Sequence, residues 1–292
     1  MSDATTVVIV TRDRAEELLT TLTHLVALEP RPPVVVVDNA STDNTAVVVD
    51  RMAREYGGLT SIRLDRNGGG ASRNVGVAAA TTPFVAFSDD DSWWANNALQ
   101  RAAHVFSEYP RVGLIAARTL VGHDEREDPV NAMMESSPLG RAPGAPGPSV
   151  LGFLACGSIV RKSAFDQVGG FSPLIGFAGE EESLAIDLAA HGWELCYVRD
   201  IVSHHHPSLS RSSPYQRRVA AMRNRLLTNW IRRPLSRVGS ESIRLVRCAV
   251  TDPVARAALY GAVKLLPAAV RARQTIPRDI ERKLRLLQGA LS

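Results

Sequence analysis

Short apolar runs alternate with stretches whose apolar positions recur at helical spacing over the first two thirds of the chain. The run TTVVIV (Thr5–Val10) predicts a strand, and Leu18, Leu19, Leu22, Leu25, Val26 and Leu28 predict the helix after it. VVVV (Val34–Val37) predicts a second strand, separated by the turn-rich DNASTDNT from a helix, AVVVDRMAREYG, that stops at Gly57 and Gly58. A short strand around Ser61–Leu64, the glycine run NGGG, a helix through ASRNVGVAAA and the buried strand PFVAF (Pro83–Phe87) follow, the last running into SDDDSWW. A helix near Asn96–Tyr109 and the strand VGLIAAR continue the alternation. Strands alternating with helices across short loops predict an α/β fold with a Rossmann-like, open and largely parallel sheet flanked by helices. Ligands of such sheets sit beyond the carboxyl ends of the strands.

The pattern then changes twice. Gly122–Ser149 is polar and rich in acid, Pro and Gly, and its length predicts a mobile functional loop. Order resumes with VLGFLACGSIVRKSAF, a strand and a helix start, then with the helix FAGEEESLAIDLAAHGW and a last short strand in LCYVRDIVSHHHPS. From Arg211 the reading is helical and basic, divided by Pro234, Pro253, Pro267 and Pro277. The expected organisation is an α/β body, 1–210, with a basic helical C-terminal extension, 211–292.

Composition changes the picture in one respect. The formal net charge of +4 over 292 residues hides an asymmetry: residues 1–210 carry 16 Lys and Arg against 26 Asp and Glu, a net of −10, and residues 211–292 carry +14. Segments such as QRRVAAMRNRLLTNWIRRPL mix arginine with large apolar residues, which suits helices packed on the body with a basic outer face or helices lying on an anionic membrane surface. Nucleic acid is a poor partner, because the acidic body opposes it and no recognition motif is present. Three scattered cysteines, Cys156, Cys196 and Cys248, and the lack of a basic-then-apolar leader before the first strand point to a reducing, cytoplasmic setting. The long uncharged stretch Ala142–Val160 carries too much Pro and Gly to be a membrane span.

The chemistry-bearing residues cluster at the predicted strand ends. Asp89-Asp90-Asp91 directly follows PFVAF. An isolated acidic run reads most simply as a solvated turn, but three adjacent like charges against an apolar strand and two tryptophans call for a compensating cation, and carboxylates are hard ligands for Mg2+ or Mn2+. Glycines before a helix, with Arg73 as a fixed cation, suit a diphosphate; the spacing is not the dinucleotide fingerprint, since the third glycine position holds Arg73. Glu180-Glu181-Glu182 opens a helix, where acids also simply favour the helix dipole. In His204-His205-His206, alternation along a strand lets His204 and His206 share a face. Ser41 and Asp43 read equally as turn and capping groups. Trp93, Trp94 and Trp193 read as core or wall, with Trp94 the one placed to face a sugar.

Taken in order, VVIVTRDR, VVVVDNASTDNT, NGGGASRNVG, VAFSDDDSWW, CGSIVRKSAFDQVGGF and GEEESLAIDLAAHGW resemble a family 2 glycosyltransferase of the GT-A fold, over about Val7 to Pro207. The resemblance implies an inverting transfer of sugar from a nucleotide diphosphate-sugar donor to an acceptor hydroxyl, assisted by Mn2+ or Mg2+, in cell-envelope or surface glycan synthesis on a glycan or lipid-linked acceptor. It makes Asp89 and Asp91 the ends of a D-x-D motif. Asp91 then holds metal with Asp89 and His206, and His204 is the alternative histidine. It assigns donor binding to Thr11, Arg12 and Arg14 after the first strand, to Asp38 and Asn39 after the second, to Asn67, Arg73 and Asn74 in the glycine segment, and to Asp89 and Asp90. Glu181 is the implied base, with Glu180 as its neighbour. A silent nucleotide-sugar-binding protein and a nucleotidyltransferase are the alternatives; TRDR stands where the latter would carry a glycine-rich basic loop.

Overall fold

The computed structural model describes residues 4–208 and 213–290. A single sheet organises the first two thirds. Its strands in chain order are β1 (Thr5–Thr11), β2 (Val34–Asp38), β3 (Leu59–Arg63), β4 (Phe84–Asp89), β5 (Ser92–Trp94), β6 (Val112–Val121), β7 (Arg126–Glu127), β8 (Ser158–Arg161) and β9 (Glu194–His205). Across the sheet they run β3-β2-β1-β4-β8-β6-β9-β5, with β7 paired to β6. The β1–β2, β2–β3, β1–β4 and β6–β9 pairings are parallel; the antiparallel pairings, β4–β8, β6–β8, β5–β9 and β6–β7, are shorter.

The central strands are almost uniformly Val, Ile and Phe because helices cover both faces. Alternation sends Val7, Ile9, Val34, Val36, Phe84 and Ala86 into one core, with Leu18, Leu22 and Phe106 from the helices Ala15–Val26 and Ala98–Glu108. Val8, Val35, Val37, Val85 and Phe87 enter the other core, against Val77, Phe165, Leu184 and Leu188 from the helices Arg73–Ala79, Lys162–Gln167 and Glu180–Ala190. Parallel register brings three strand ends together: Thr11 pairs with Asp38, and Val10 with Asp89. The carboxyl ends of β1, β2 and β4 therefore form one ledge, where the side chains with reactive chemistry stand.

Two segments differ from the sequence reading. A strand that the pattern did not predict follows the acidic run: the chain turns at Asp90 and Asp91 and returns as β5, and the turn is closed by Asp89 N–H donating to Ser92 Oγ at 2.7 Å. The stretch 122–149 is built structure and not an open loop. It holds β7 and the helix Pro129–Glu135, capped by Asp128. Buried Asn131 accepts from Thr119 N–H at 3.0 Å and donates to Thr119 C=O at 2.8 Å, so a side chain completes the β6 edge. A polar composition concealed this because the amide replaces strand pairing without any apolar signal.

The extension forms the helices Pro214–Arg232, Leu235–Thr251, Pro253–Lys264, Leu266–Arg271 and Arg278–Ala290. Prolines punctuate it as expected, standing at or just before helix starts, where a missing N–H costs nothing. Leu226, Leu227, Ile231, Leu245, Ala255 and Ala262 make a third core that takes in Ile175 of the body. Ile276, Ile280 and Leu284 pack on Leu151 and Ile186. Arg233 and Glu281, both buried, pair with each other, and Arg285 donates to Glu281 at 2.9 Å. Burial works to raise the Glu281 pKa, and the hydrogen bonds from Arg233 and Arg285 outweigh it and hold the carboxyl below its ordinary range. Among the described residues no helix is long and apolar enough to cross a membrane.

Candidate active site

A cavity of about 420 Å³ opens at the ledge made by the ends of β1, β2 and β4. Of the residues singled out in the sequence, Thr11, Arg12, Arg14, Asn39, Asn67, Arg73, Asp89, Asp90, Asp91 and Glu181 line it. Arg73 is its electrostatic hub. Its guanidinium is buried, donating to Asp89 at 2.7 Å and to Glu180 at 3.1 Å, with its face over the Phe171 ring. Burial opposes its charge, but Asp89, Glu180 and Glu181 more than offset that and raise its pKa. A planar donor fork that joins two carboxylates is work for arginine and not lysine.

Glu180 is fully buried behind Arg73, and its approach explains Gly70: a Cβ there would lie 2.6 Å from Glu180 Oε1. Gly70→Ala is expected to displace the Arg73–Glu180 pair and cost about 1–3 kcal/mol, read as a lowered urea midpoint. Glu181, one position on, faces the cavity. Burial first, then the charge of Glu180 and more weakly that of Asp89, push its pKa to about 8 against the opposing pull of Arg73. The adjacent glutamates thus divide: Glu180 is a sealed partner and Glu181 is a cavity carboxyl that takes up a proton near neutral pH.

The three aspartates also divide. Asp89 is held by Arg73. Asp90 accepts from Thr11 Oγ1 at 3.1 Å, and its backbone carbonyl accepts from Thr21. Burial, then repulsion from Asp89 and Asp91, push the Asp90 pKa to about 7. Asp91 accepts from Ser208 N–H at 2.9 Å and stands 3.4 Å from His205 Nε2.

The structure does not bring the imidazoles of His204 and His206 to the acidic cluster, although the His206 backbone N–H donates to the Asp91 carbonyl at 2.8 Å. They do share a face, but it is the opposite one: β9 pairs with β5 so that His205 lies opposite Ser92 and His204 opposite Trp93. His204 and His206 pack on Trp93, with His24 stacked on the same indole and His123 against His206. Burial, then His123 and His204, lower the His206 pKa. His205 is therefore the histidine beside Asp91.

Three other expected donor contacts are otherwise engaged. Asp38 is buried, accepts from Ser41 N–H at 2.8 Å and faces Arg63, so it closes its own turn and does not line the cavity. Asn74 clamps Phe171, accepting from its N–H and donating to its C=O, both at 2.9 Å. Two N–H groups of the glycine run are also taken: Gly68 donates to Asn39 Oδ1 at 2.8 Å and Gly69 to Asn67 Oδ1 at 2.9 Å. Trp94 is buried in the core and does not line the cavity. The cavity instead gains His205, Cys156, Phe177 and Arg217. Alternation along β9 could have offered His205 as readily as its neighbours; Arg217 had no signal, being one basic residue among many in the extension.

Among the described residues no three His, Cys, Asp or Glu side chains converge to hold a metal ion by themselves. Yet Asp91, with His205 Nε2 3.4 Å away, offers a carboxylate oxygen and an imidazole nitrogen, and Asp89 and Asp90 beside it add carboxylate charge, so the residues present supply part of a shell for a divalent cation. The residues fit a cation whose remaining ligands come from a phosphate and water.

The family model described as Glycosyl transferase family 2 matches residues 6–169. A pre-mycofactocin glycosyltransferase of Mycobacterium tuberculosis (strain ATCC 25618 / H37Rv) is 33% identical over 208 residues, covering 69% of this chain and 42% of its own length. The chain thus spans less than half of that relative. Among solved structures, a mannosyltransferase from Pyrobaculum calidifontis in complex with GDP-Man and Mn2+ superposes with a TM-score of 0.61 at 20% identity, over 92% of this chain and 73% of that one. S. aureus TarS 1-349 in complex with UDP-GlcNAc gives 0.58 at 20% identity, over 77% and 66%. These likenesses show the GT-A fold.

Proposed function

Because this chain belongs to glycosyl transferase family 2, we propose that it moves a sugar from a nucleotide diphosphate-sugar to an acceptor hydroxyl, with inversion and with the help of Mn2+ or Mg2+. The observation that carries the reading is the meeting, in one cavity, of the aspartates ending β4 with Glu181 from a separate helix. Structural neighbours solved with GDP-Man or UDP-GlcNAc support the donor class.

In this reading Asp91, with Asp89 and His205, would hold a divalent cation, whose chemistry would be to add positive charge where a diphosphate departs. The chain's own groups do the rest. Thr11, Asn39 and Asn67 line the side of the cavity nearest β1 and β2 and suit the nucleoside; Arg12, Arg14 and Arg217 add positive charge where the diphosphate leaves. Glu181 accepts the proton of the acceptor hydroxyl. The oxygen so freed bonds to the anomeric carbon from the face opposite the nucleotide, and the broken bond's electron pair departs on the diphosphate. One displacement inverts the carbon, and no enzymic nucleophile is required. Arg73 holds Asp89 and Glu180 still throughout.

Thermal melting with a panel of nucleotide sugars tests donor binding. One donor is expected to stabilise the wild type only with Mn2+, by about 2.7 kcal/mol at a hundred times its Kd. Asp91→Ala should lose that metal-dependent part. Equal shifts with and without Mn2+ contradict the metal assignment.

The extension supports reversible association with an anionic lipid surface as part of the same reading. Ile243, Val246 and Val250 recur at helical spacing and are exposed, as are Tyr260 and Val263, among arginines. Flotation with vesicles containing anionic lipid should carry the protein at low salt, and Val246→Asp with Val250→Asp should leave it at the bottom. Failure of the wild type to float removes the membrane role.

A further inference from the structure

The body and extension meet where the candidate base is set, and one buried amide makes the connection. Asn224, in the helix Pro214–Arg232, is fully buried. Its Nδ2 faces three successive carbonyls, those of Gly176, Phe177 and Ala178, at 2.7, 3.0 and 2.8 Å, which share its two hydrogens. Its Oδ1 accepts from Arg223 Nε and Nη2 at 3.0 and 2.9 Å. Arginine is a donor only, so Arg223 fixes which end of the amide faces the turn. Arg223 is in turn confined: a Cβ at Gly261 would lie 3.0 Å from its Cδ, and one at Gly176 would lie 3.1 Å from Nη2.

The turn so held is costly in isolation. Ala178 (φ 77°) and Gly179 (φ 100°) are both left-handed, and Gly179 is the N-cap of the helix that begins with Glu180 and Glu181. No side chain caps that helix start. At its other end Arg232, from the same extension helix, pairs with Asp187. The helix bearing Glu181 is thus gripped at both ends by one helix of the extension.

We propose that Asn224, oriented by Arg223, is a positioning residue for Glu181: it holds the 176–179 turn in its left-handed form, so the extension is part of the active site and not an attachment. The kinetic part of this claim rests on the transferase reading. The geometric part does not.

The test uses the full chain with Asn224→Ala, Asn224→Asp and Arg223→Met, and Arg218→Ala as an exposed control on the same helix. Deuterium uptake across 175–183 should quicken by about tenfold or more in the first three and not in the control, while the central strands stay protected. Nucleotide release from GDP-Man and UDP-GlcNAc with Mn2+ should show kcat reduced about 100-fold, with donor KM within about twofold, the pattern of a displaced catalytic group. Asn224→Asp keeps the shape and loses the donor hydrogens, so it should not rescue. Unchanged uptake at 175–183, or uptake rising equally throughout the sheet, overturns the proposal, as does a KM defect with normal kcat. If the wild type turns over neither donor, the exchange pattern decides the positioning claim by itself, and absence of turnover across a wider donor panel counts against the transferase reading alone.

Discussion

Glu181→Gln is expected to lower kcat for sugar transfer by about 1,000-fold while donor affinity stays close to wild type, because the amide keeps the side chain's shape and cannot take the acceptor's proton. The wild-type rate should also carry a signature of this group. A base must be ionised to act, and the Glu181 pKa stands at about 8. Activity should therefore rise nearly tenfold per pH unit from about pH 6 and level off above about pH 8. Glu181→Gln should lose that rising limb. A profile already flat from pH 6 would assign the base elsewhere.

The largest effect on stability is expected from Arg73→Met. Methionine fills much of the space and leaves Glu180, which is fully buried, facing the protein without its cation, and Asp89 without its donor. Removing one member of a buried ion pair costs about 3–5 kcal/mol, mostly through the stranded partner. Urea denaturation at pH 7 should show that loss as a lower midpoint with little change in slope. Adding Glu180→Gln to Arg73→Met should recover part of it, since the stranded charge is then gone. A double variant no more stable than the single one would show that Arg73 acts through packing on Phe171 and not through charge.

Most of the ledge was legible because its logic is local. An apolar run followed at once by Thr11, Asp38 or Asp89 marks a strand end, and parallel strands put their ends together whatever the details of the core. Glu181 was legible for a related reason, since it stands in the acidic run that opens a helix directly after Gly179. What sequence could not resolve depends on register and docking. His205 faces Asp91 while its neighbours face Trp93, because a three-residue strand, β5, directly after the acidic run pairs with β9. Asp38 and Asn74 have the right chemistry for a donor, but their hydrogen bonds close a turn and clamp Phe171. Arg217 and Asn224 lie in the extension, where the family resemblance ends, and only the packing of its helices on the body reveals what they reach.

In the proposed function the cavity between the β4 aspartates and Glu181 is a metal-assisted sugar-transfer site. Nucleotide release from a panel of nucleotide sugars, measured with Mn2+ for the wild type, Asp91→Ala and Glu181→Gln, tests it most directly. Release by the wild type from one donor, lost on chelation and reduced by about 100-fold or more in both variants, is the predicted result. Equal rates in all three proteins would contradict it.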